Sequence, residues 1–195
     1  GMVIESAGPA ISIGRLCQIE NRDDGGRVLA EVVGFRDNHL YLMPLGPISG
    51  ITPGAIVTST SEQLRVPVGR GLIGRVIGGL GEPIDGKGPL MTRQTRSIIA
   101  EPLPALKRRR IRDAVYTGIK AIDLAATIGK GQRMGVFAGS GVGKSVMLGM
   151  IARGSTADVN VVALVGERGR EVREFIERDL GPEGMKRTVV VAVTS

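Results

Sequence analysis

The eight residues from Ala138 to Ser145, Ala-Gly-Ser-Gly-Val-Gly-Lys-Ser, constrain the fold of this chain more than any other segment. Glycine lets a backbone curl so tightly that several N–H groups point toward the same place. An apolar segment, Met134–Phe137, precedes this run and predicts a strand, and the apolar spacing of Val146–Arg153 predicts a helix after it. A glycine-rich turn between a strand and a helix is the context in which proteins bind phosphate groups.

This phosphate loop predicts the binding of a nucleoside triphosphate, namely ATP with Mg²⁺. Lys144 is predicted to contact the β- and γ-phosphates, and the Ser145 hydroxyl is predicted to coordinate Mg²⁺. The generic motif begins with glycine, whereas this chain has Ala138 there, but the glycines that approach the phosphates remain. The predicted nucleotide-binding residues are Gly139, Ser140, Gly141, Val142, Gly143, Lys144, Ser145 and Val146.

Strands and helices are predicted to alternate in the second half of the chain. Val159–Val165 and Thr188–Val193 are apolar runs typical of strands buried on both faces. Gly118–Ala126 predicts a short helix, and Glu171–Asp179 has apolar residues at helical spacing. This alternation predicts an α/β domain built on a parallel sheet.

The first half of the chain consists of short β-prone runs separated by turns rich in Gly, Asp and Asn, which predicts a small barrel or sandwich. The runs are Ile11–Ile13, Val28–Val33, His39–Met43 and Ala55–Thr58. We therefore predict a β domain at residues 1–70, a Gly/Pro-rich and basic connector at 71–113, and the α/β domain at 114–195.

The composition argues against several classes of protein. Cys17 is the single cysteine, so no disulfide can form within the chain, and no apolar run approaches the ~20 residues that span a bilayer. The first residues lack the pattern of a signal peptide, and the single cysteine fits a reducing cytoplasm. The net charge of +7 permits an anionic partner. However, the basic run Lys107–Arg112 contains no aromatic residue for stacking on bases, so we interpret it as a solvated surface.

Glu167 and Arg168 follow the predicted strand at Val159–Val165, where a parallel sheet presents its ligand-binding edge. The Glu167 carboxylate is predicted to orient or deprotonate the water that attacks the γ-phosphate. Arg168 is predicted to hold that carboxylate or to sense the phosphate. Spacing alone leaves open an alternative, an ion-paired loop in which Glu167 or Glu171 pairs with a neighbouring arginine.

Several segments of the chain resemble the ATPases of flagellar and type III secretion export, which are relatives of the rotary ATP synthase catalytic subunit. The resemblance is strongest in Phe137–Arg153 and Val165–Val172 and extends to Tyr116–Gln132, Gly74–Gly88 and Glu31–Leu45. It implies a small N-terminal β-barrel followed by an α/β RecA-like P-loop domain with an incomplete parallel sheet. It also implies the roles given above to Lys144, Ser145 and Glu167.

The resemblance further implies what the protein does and which molecules it meets. Members of this family hydrolyse ATP to power protein export, assemble as homohexamers, and lie in the cytoplasm at the base of the secretion machinery. The implied partners are stalk or regulator subunits and complexes of export substrates with their chaperones. Neither specific nucleic-acid binding nor more than peripheral membrane association is expected.

Members of the family continue well beyond the position of Ser195, where they carry a second Mg²⁺-site aspartate, an arginine finger and the adenine pocket. We therefore interpret the chain as a truncated form that binds nucleotide weakly and hydrolyses it slowly or not at all, so its own enzymatic status stays open. One alternative is an RNA-translocating hexameric ATPase of termination-factor type, for which Phe35 and Tyr41 are the available stacking residues. Another is a non-catalytic assembly module.

Overall fold

The structure, a computed structural model, describes residues 2–21, 23, 25–60, 62–139 and 141–194. The chain divides into two compact units, one formed by residues 1–65 with 97–100 and the other by residues 66–96 with 101–195. Among the described residues, no helix combines the length and the apolar character needed to cross a bilayer.

The first unit is built on a five-stranded antiparallel sheet. Its strands are β1 (Ile4–Ser6), β2 (Leu16–Glu20), β3 (Arg27–Arg36), β4 (His39–Pro44) and β5 (Val57–Ser59), in the order β1-β4-β3-β2-β5. Buried and exposed residues alternate along β3 and β4, as expected for a sheet with one face in the core. The buried side chains are Cys17, Ile19, Ala30, Val32, Leu40 and Leu42.

A two-residue turn connects β3 to β4. Asp37 and Asn38 both have positive φ, 47° and 65°, which short polar side chains tolerate best and which the right-handed twist of a hairpin favours. The prediction of a strand at Ile11–Ile13 was wrong, because those residues precede β2 and join no sheet. Sequence analysis missed both β1 and β2, which carry few of the strong β-formers on which that prediction relied.

The second unit contains a parallel sheet with the strand order β11-β12-β7 and helices packed against it. The remaining strands of the chain are β6 (Arg65–Pro67), β7 (Val76–Ile77), β8 (Thr95–Ser97), β9 (Ala114–Val115), β10 (Ile128–Gly129), β11 (Asn160–Glu167) and β12 (Thr188–Thr194). The helices are α1 (Lys120–Ala125), α2 (Lys144–Gly154), α3 (Gly169–Glu174), a π-helical turn at Phe175–Leu180 and α4 (Gly181–Met185). Short 3₁₀ turns lie at Arg70–Leu72 and Ala105–Lys107.

The largest buried cluster of this unit lies between the sheet and the helices α2 and α3 with the π-helical turn. It is formed by Val76, Ala152, Leu164, Val172, Phe175, Leu180, Val190 and Ala192. The helix α2 approaches the π-helical turn most closely at Gly149, where an added Cβ would overlap the backbone of Asp179. A glycine in the interior of a helix normally weakens it, but here it permits the close contact that seats α2.

Two segments differ from the sequence prediction. Residues 132–139 form no strand, although Met134–Phe137 was predicted to be one. Apolar character alone does not make a strand, because the backbone also needs a neighbouring strand for its hydrogen bonds, and this segment pairs with none of β11, β12 and β7. Conversely, Val76–Ile77 lies in the predicted connector but forms a strand of the parallel sheet, paired with Val190 and Val191.

A buried ion pair fixes the loop after β7. Arg75 donates two hydrogen bonds to the Asp85 carboxylate, at 2.7 and 2.9 Å, and two more to the carbonyl oxygens of Gly88 and Pro89. The Asp85 carboxylate also accepts the backbone N–H groups of Val76 and Lys87. The Arg75 guanidinium, aided by these two amides, holds the pKa of Asp85 well below its usual range. Sequence analysis assigned no such role to either residue.

Replacing Asp85 with asparagine is expected to destabilise the second unit by about 3 kcal/mol, because Arg75 would keep its charge without a buried counter-ion. The side chains of Arg75 and Asp85 are only 10% and 5% exposed, so water cannot replace the lost partner. Since folding lowers the pKa of Asp85, its contribution is complete above about pH 4 and is lost as pH falls further toward the folded-state value.

Urea unfolding followed by circular dichroism from pH 7 to pH 2 measures this effect. The difference between the wild-type chain and the Asp85→Asn variant should stay constant down to about pH 4 and then shrink. Glu183→Gln is the control, because Glu183 pairs with Lys186 on the surface and its loss should change stability by less than about 1 kcal/mol. A difference that grew as pH fell below 4 would contradict the assignment.

Candidate functional site

The glycine-rich loop ends in a left-handed turn that starts the helix α2. Gly141 and Gly143 have φ of +76° and +93°, and Gly143 is the residue that caps the helix. A Cβ added at either glycine would meet no atom within 4 Å, so glycine is required there for its backbone conformation and not for lack of space. The open space beside both residues leaves the backbone accessible to a ligand.

The helix α2 begins at Lys144, directly after the loop, and contains the predicted helical segment Val146–Arg153. Its first intrahelical bond runs from the Met147 N–H to the Gly143 carbonyl at 3.0 Å. The N–H groups of a first helical turn have no partner within the helix, so they are available to an anion, which the helix dipole also favours. The side chain of Lys144 is exposed and donates to the Ala138 carbonyl at 3.3 Å, which folds it back over the loop.

The second part of the site comes from the end of β11. A register irregularity between Val165 and Glu167, with Gly166 at φ +72°, bends the strand where it leaves its partner β12. This bend places Glu167 on the same cavity as the phosphate loop. Sequence analysis placed Glu167 at this edge, and the structure brings it to the loop.

The cavity has a volume of about 490 Å³ and is half open to solvent. Its lining residues are Gly141, Val142, Gly143, Lys144, Ser145, Val146, Glu167 and Glu171. Six of the eight predicted nucleotide-binding residues are therefore together. Gly139 is described but is not among the lining residues, and Ser140 lies outside the described residues.

Glu171 is a lining residue to which sequence analysis gave no role in the site. The helix α3 begins at Gly169, directly after β11, so a residue in its first turn is carried back toward the end of the strand. The separation of four residues between Glu167 and Glu171, across a strand-to-helix turn, was the signal that could have identified it. With Glu171 included, two half-buried carboxylates face the loop that carries Lys144.

Arg168 occupies a different position from the one predicted. Its guanidinium lies 3.7 Å from the Glu171 carboxylate, and its backbone N–H donates to the same carboxylate at 3.5 Å. Its side chain is 69% exposed and does not line the cavity. This geometry matches the ion-paired loop that the spacing left open, so a catalytic role for Arg168 remains a prediction.

The oxygen atoms around the loop suit a hard cation. The Ser145 hydroxyl and the carboxylates of Glu167 and Glu171 line one cavity, and Mg²⁺ takes oxygen ligands while keeping several of its waters. No group of three or more His, Cys, Asp or Glu in the described part of the chain could hold a metal ion by itself. A metal at this site would therefore depend on phosphate oxygens as further ligands, as Mg²⁺ bound with a nucleotide does.

Two family models match the chain, and both describe one family. The nucleotide-binding domain of the ATP synthase alpha/beta family matches residues 118–195, and the beta-barrel domain of the same family matches residues 1–61. These matches confirm the predicted arrangement of a barrel followed by a nucleotide-binding α/β domain. The five-stranded sheet lies in the barrel domain, and the phosphate loop lies in the nucleotide-binding domain.

Individual relatives and solved structures agree with these models. The flagellum-specific ATP synthase of Bacillus subtilis is 54% identical over 198 residues, which cover all of this chain and 45% of that protein. The assembled ATPase EscN of the type III secretion system of enteropathogenic E. coli matches with a TM-score of 0.87 at 38% identity. EscN in complex with its central stalk EscO matches with a TM-score of 0.84 at 37% identity.

This chain spans less than half the length of the relatives it matches. All of its residues are covered in the two EscN comparisons, against 46% and 47% of the EscN chains. Both domain models, the fold and the sequence identity agree over the barrel and over the nucleotide-binding core. The chain therefore belongs to the ATP synthase alpha/beta family and is similar to its flagellar and type III secretion ATPases.

Proposed function

We propose that the chain binds ATP with Mg²⁺ in the cavity between the phosphate loop and the end of β11. The observation that carries this proposal is the meeting of three groups at one cavity: the glycine turn, the start of α2 with Lys144 and Ser145, and the Glu167 carboxylate. The triphosphate is a polyanion, and the loop supplies backbone N–H groups, a helix N-terminus and an ammonium group to it. The two glycines with positive φ allow the loop to approach that closely.

The residues at the loop have separate roles in this proposal. The backbone of residues 139–146 surrounds the phosphates, and Lys144 Nζ moves from the Ala138 carbonyl to the β- and γ-phosphates. The Ser145 hydroxyl would be one ligand of Mg²⁺, and the carboxylates of Glu167 and Glu171 line the same cavity. Bound Mg²⁺ would neutralise charge that develops on the phosphate oxygens.

Glu167 is the proposed catalytic carboxylate. Its side chain lines the same cavity as Lys144 and Ser145, so Glu167 could contact a water molecule that lies next to the γ-phosphate. Glu167 would orient this water by accepting a hydrogen bond from it and would take its proton as the P–O bond forms. Arg168 would act through its ion pair with Glu171, which fixes the first turn of α3 next to Glu167.

Within a flagellar or injectisome apparatus, the proposed activity is ATP hydrolysis that powers protein export. The similarity to the flagellum-specific ATP synthase and to the assembled ATPase EscN supports this proposal. The complex of EscN with its central stalk EscO supports a stalk subunit as a partner. We further propose a homohexamer in the cytoplasm, peripheral at the base of the apparatus, that receives complexes of substrates with chaperones.

Calorimetric titration of the chain with nucleotides tests the proposed site. We expect Mg-ATP to bind more tightly than AMP, because the loop contacts the β- and γ-phosphates and AMP lacks both. Removal of Mg²⁺ with a chelator should weaken ATP binding, since Ser145 and the two carboxylates would then face uncompensated phosphate charge. Equal affinity for ATP and AMP, or binding that a chelator does not change, would refute a phosphate-directed site.

A further inference from the structure

We propose that Arg187 is a positioning residue for nucleotide binding, because it fixes the phosphate-loop helix α2 from its far end. This proposal rests on the proposed function of the loop. Arg187 lies between α4 and β12 and is half-buried. It does not line the phosphate cavity, so any effect on the nucleotide must pass along α2.

The guanidinium of Arg187 binds the last turn of α2 and the residues directly after it. Nη2 donates to the carbonyl oxygens of Ala152 at 3.0 Å and Arg153 at 2.7 Å. Nη1 donates to the carbonyl oxygens of Ser155 at 2.9 Å and Ala157 at 3.0 Å. The last carbonyls of a helix have no partner within it, and a cation near them also stabilises the negative end of the helix dipole.

The same arginine is anchored to the parallel sheet. Its carbonyl accepts the Asn160 N–H at 2.8 Å, at the point where β11 begins, and it immediately precedes β12. The Asn160 side chain adds a further bond to the Ala152 carbonyl at 2.8 Å. The end of α2 is thereby tied to the starts of two adjacent strands, one of which carries Glu167 at its other end.

This arrangement fixes the distance between the two halves of the site. The helix α2 is 11 residues long and behaves as a rigid rod, with Lys144 and Ser145 in its first turn. The strand β11 runs from Asn160 to Glu167. Arg187 joins the end of α2 to the start of β11. It therefore sets the position of Lys144 and Ser145, at the start of α2, relative to Glu167, at the end of β11. Only a planar fork of donors reaches four carbonyls at once, which a lysine cannot reproduce.

The test compares Mg-ADP affinity by calorimetric titration, well below the unfolding temperature, in four variants of the chain. Arg187→Gln is expected to weaken Mg-ADP binding by about threefold to tenfold, and Arg187→Lys by less. Lys186→Gln removes the same charge one residue earlier, where the exposed side chain pairs with Glu183 of α4. Asp85→Asn destabilises the same unit without contacting α2. Both controls should bind as the wild-type chain does.

Amide hydrogen exchange without nucleotide is the second measurement. Arg187→Gln should speed exchange at the Met147 N–H, the first hydrogen bond of α2, and Asp85→Asn should not. If the wild-type chain failed to bind Mg-ADP, the proposed function would be wrong. Hydrogen exchange at the Met147 N–H would still test whether Arg187 fixes α2. Unchanged affinity and unchanged exchange in Arg187→Gln would overturn the proposal, as would equal weakening in Asp85→Asn. If Arg187→Gln does not fold, Arg187→Lys decides by the same two measurements.

Discussion

Replacing Lys144 with alanine is expected to weaken Mg-ATP binding by about 100-fold or more. The ammonium group is the one full positive charge among the described residues that line the cavity. Charge-assisted hydrogen bonds to phosphate are among the strongest that a side chain can make. The fold should be unaffected, because Lys144 is exposed and its ammonium group donates a long hydrogen bond, 3.3 Å, to the Ala138 carbonyl.

The measurement is the stabilisation that Mg-ATP gives the chain in a thermal unfolding experiment. A ligand that binds only the folded state raises the unfolding temperature with its concentration, so a loss of affinity appears as a loss of that shift. Lys130→Ala is the matched control, since Lys130 is an exposed lysine of the same unit outside the cavity. An undiminished shift in Lys144→Ala would rule out Lys144 as a phosphate contact, and no shift in the wild-type chain would favour a non-catalytic assembly module.

Replacing Glu167 with glutamine is expected to slow any ATP hydrolysis strongly and to leave ground-state binding nearly unchanged. A positioned general base typically contributes about 10²–10⁴ in rate, and glutamine keeps the shape of the side chain but cannot accept the proton. Phosphate release should therefore fall by about that factor, while affinity for Mg-ADP should change little.

A transition-state mimic tests the same role without turnover. ADP with fluoroaluminate resembles the transferring phosphoryl group and the attacking water together, so Glu167→Gln should lose affinity for it and not for Mg-ADP. Glu174→Gln is the control, because Glu174 is exposed on α3 and lies outside the cavity. If Glu167→Gln lost affinity for ADP with fluoroaluminate and for Mg-ADP equally, Glu167 would instead be assigned to metal or nucleotide binding.

The elements predicted from periodicity agree best with the structure where local pattern and long-range pairing coincide. The apolar runs of β11 and β12 are strands within one or two residues of the predicted bounds, and the two strands pair with each other in parallel. The prediction that both faces are buried was wrong for β11, where Val161 and Val165 are each 71% exposed. Met134–Phe137 had the same local signal and forms no strand, since pairing depends on which other strands are adjacent. Val76–Ile77 shows the opposite case, a strand too short to have a recognisable pattern.

Some parts of the site could be predicted from the sequence, and other parts could not. The phosphate loop was predictable because its chemistry is carried by consecutive residues, and the structure confirms that Gly141–Val146 line one cavity. Arg187 was not predictable from spacing, since its contacts depend on where β12 begins relative to the end of α2. The predicted helix at Glu171–Asp179 also changes register at Phe175, where the π-helical turn packs against Gly149 of α2.

The pairing of β7 with β12 has a consequence for the order in which this chain can fold. Val76 lies beside Val190, so the sheet joins residues that are synthesised far apart. Within the described sheet, β12 is the one strand that β7 pairs with, and closing so long an interval carries a large entropic cost. The strands β1 to β5 pair among themselves and can assemble while the ribosome is still making the rest. Until β12 is made, β7 and β11 lack the strand that pairs with both of them, and their apolar side chains remain accessible to chaperones and proteases.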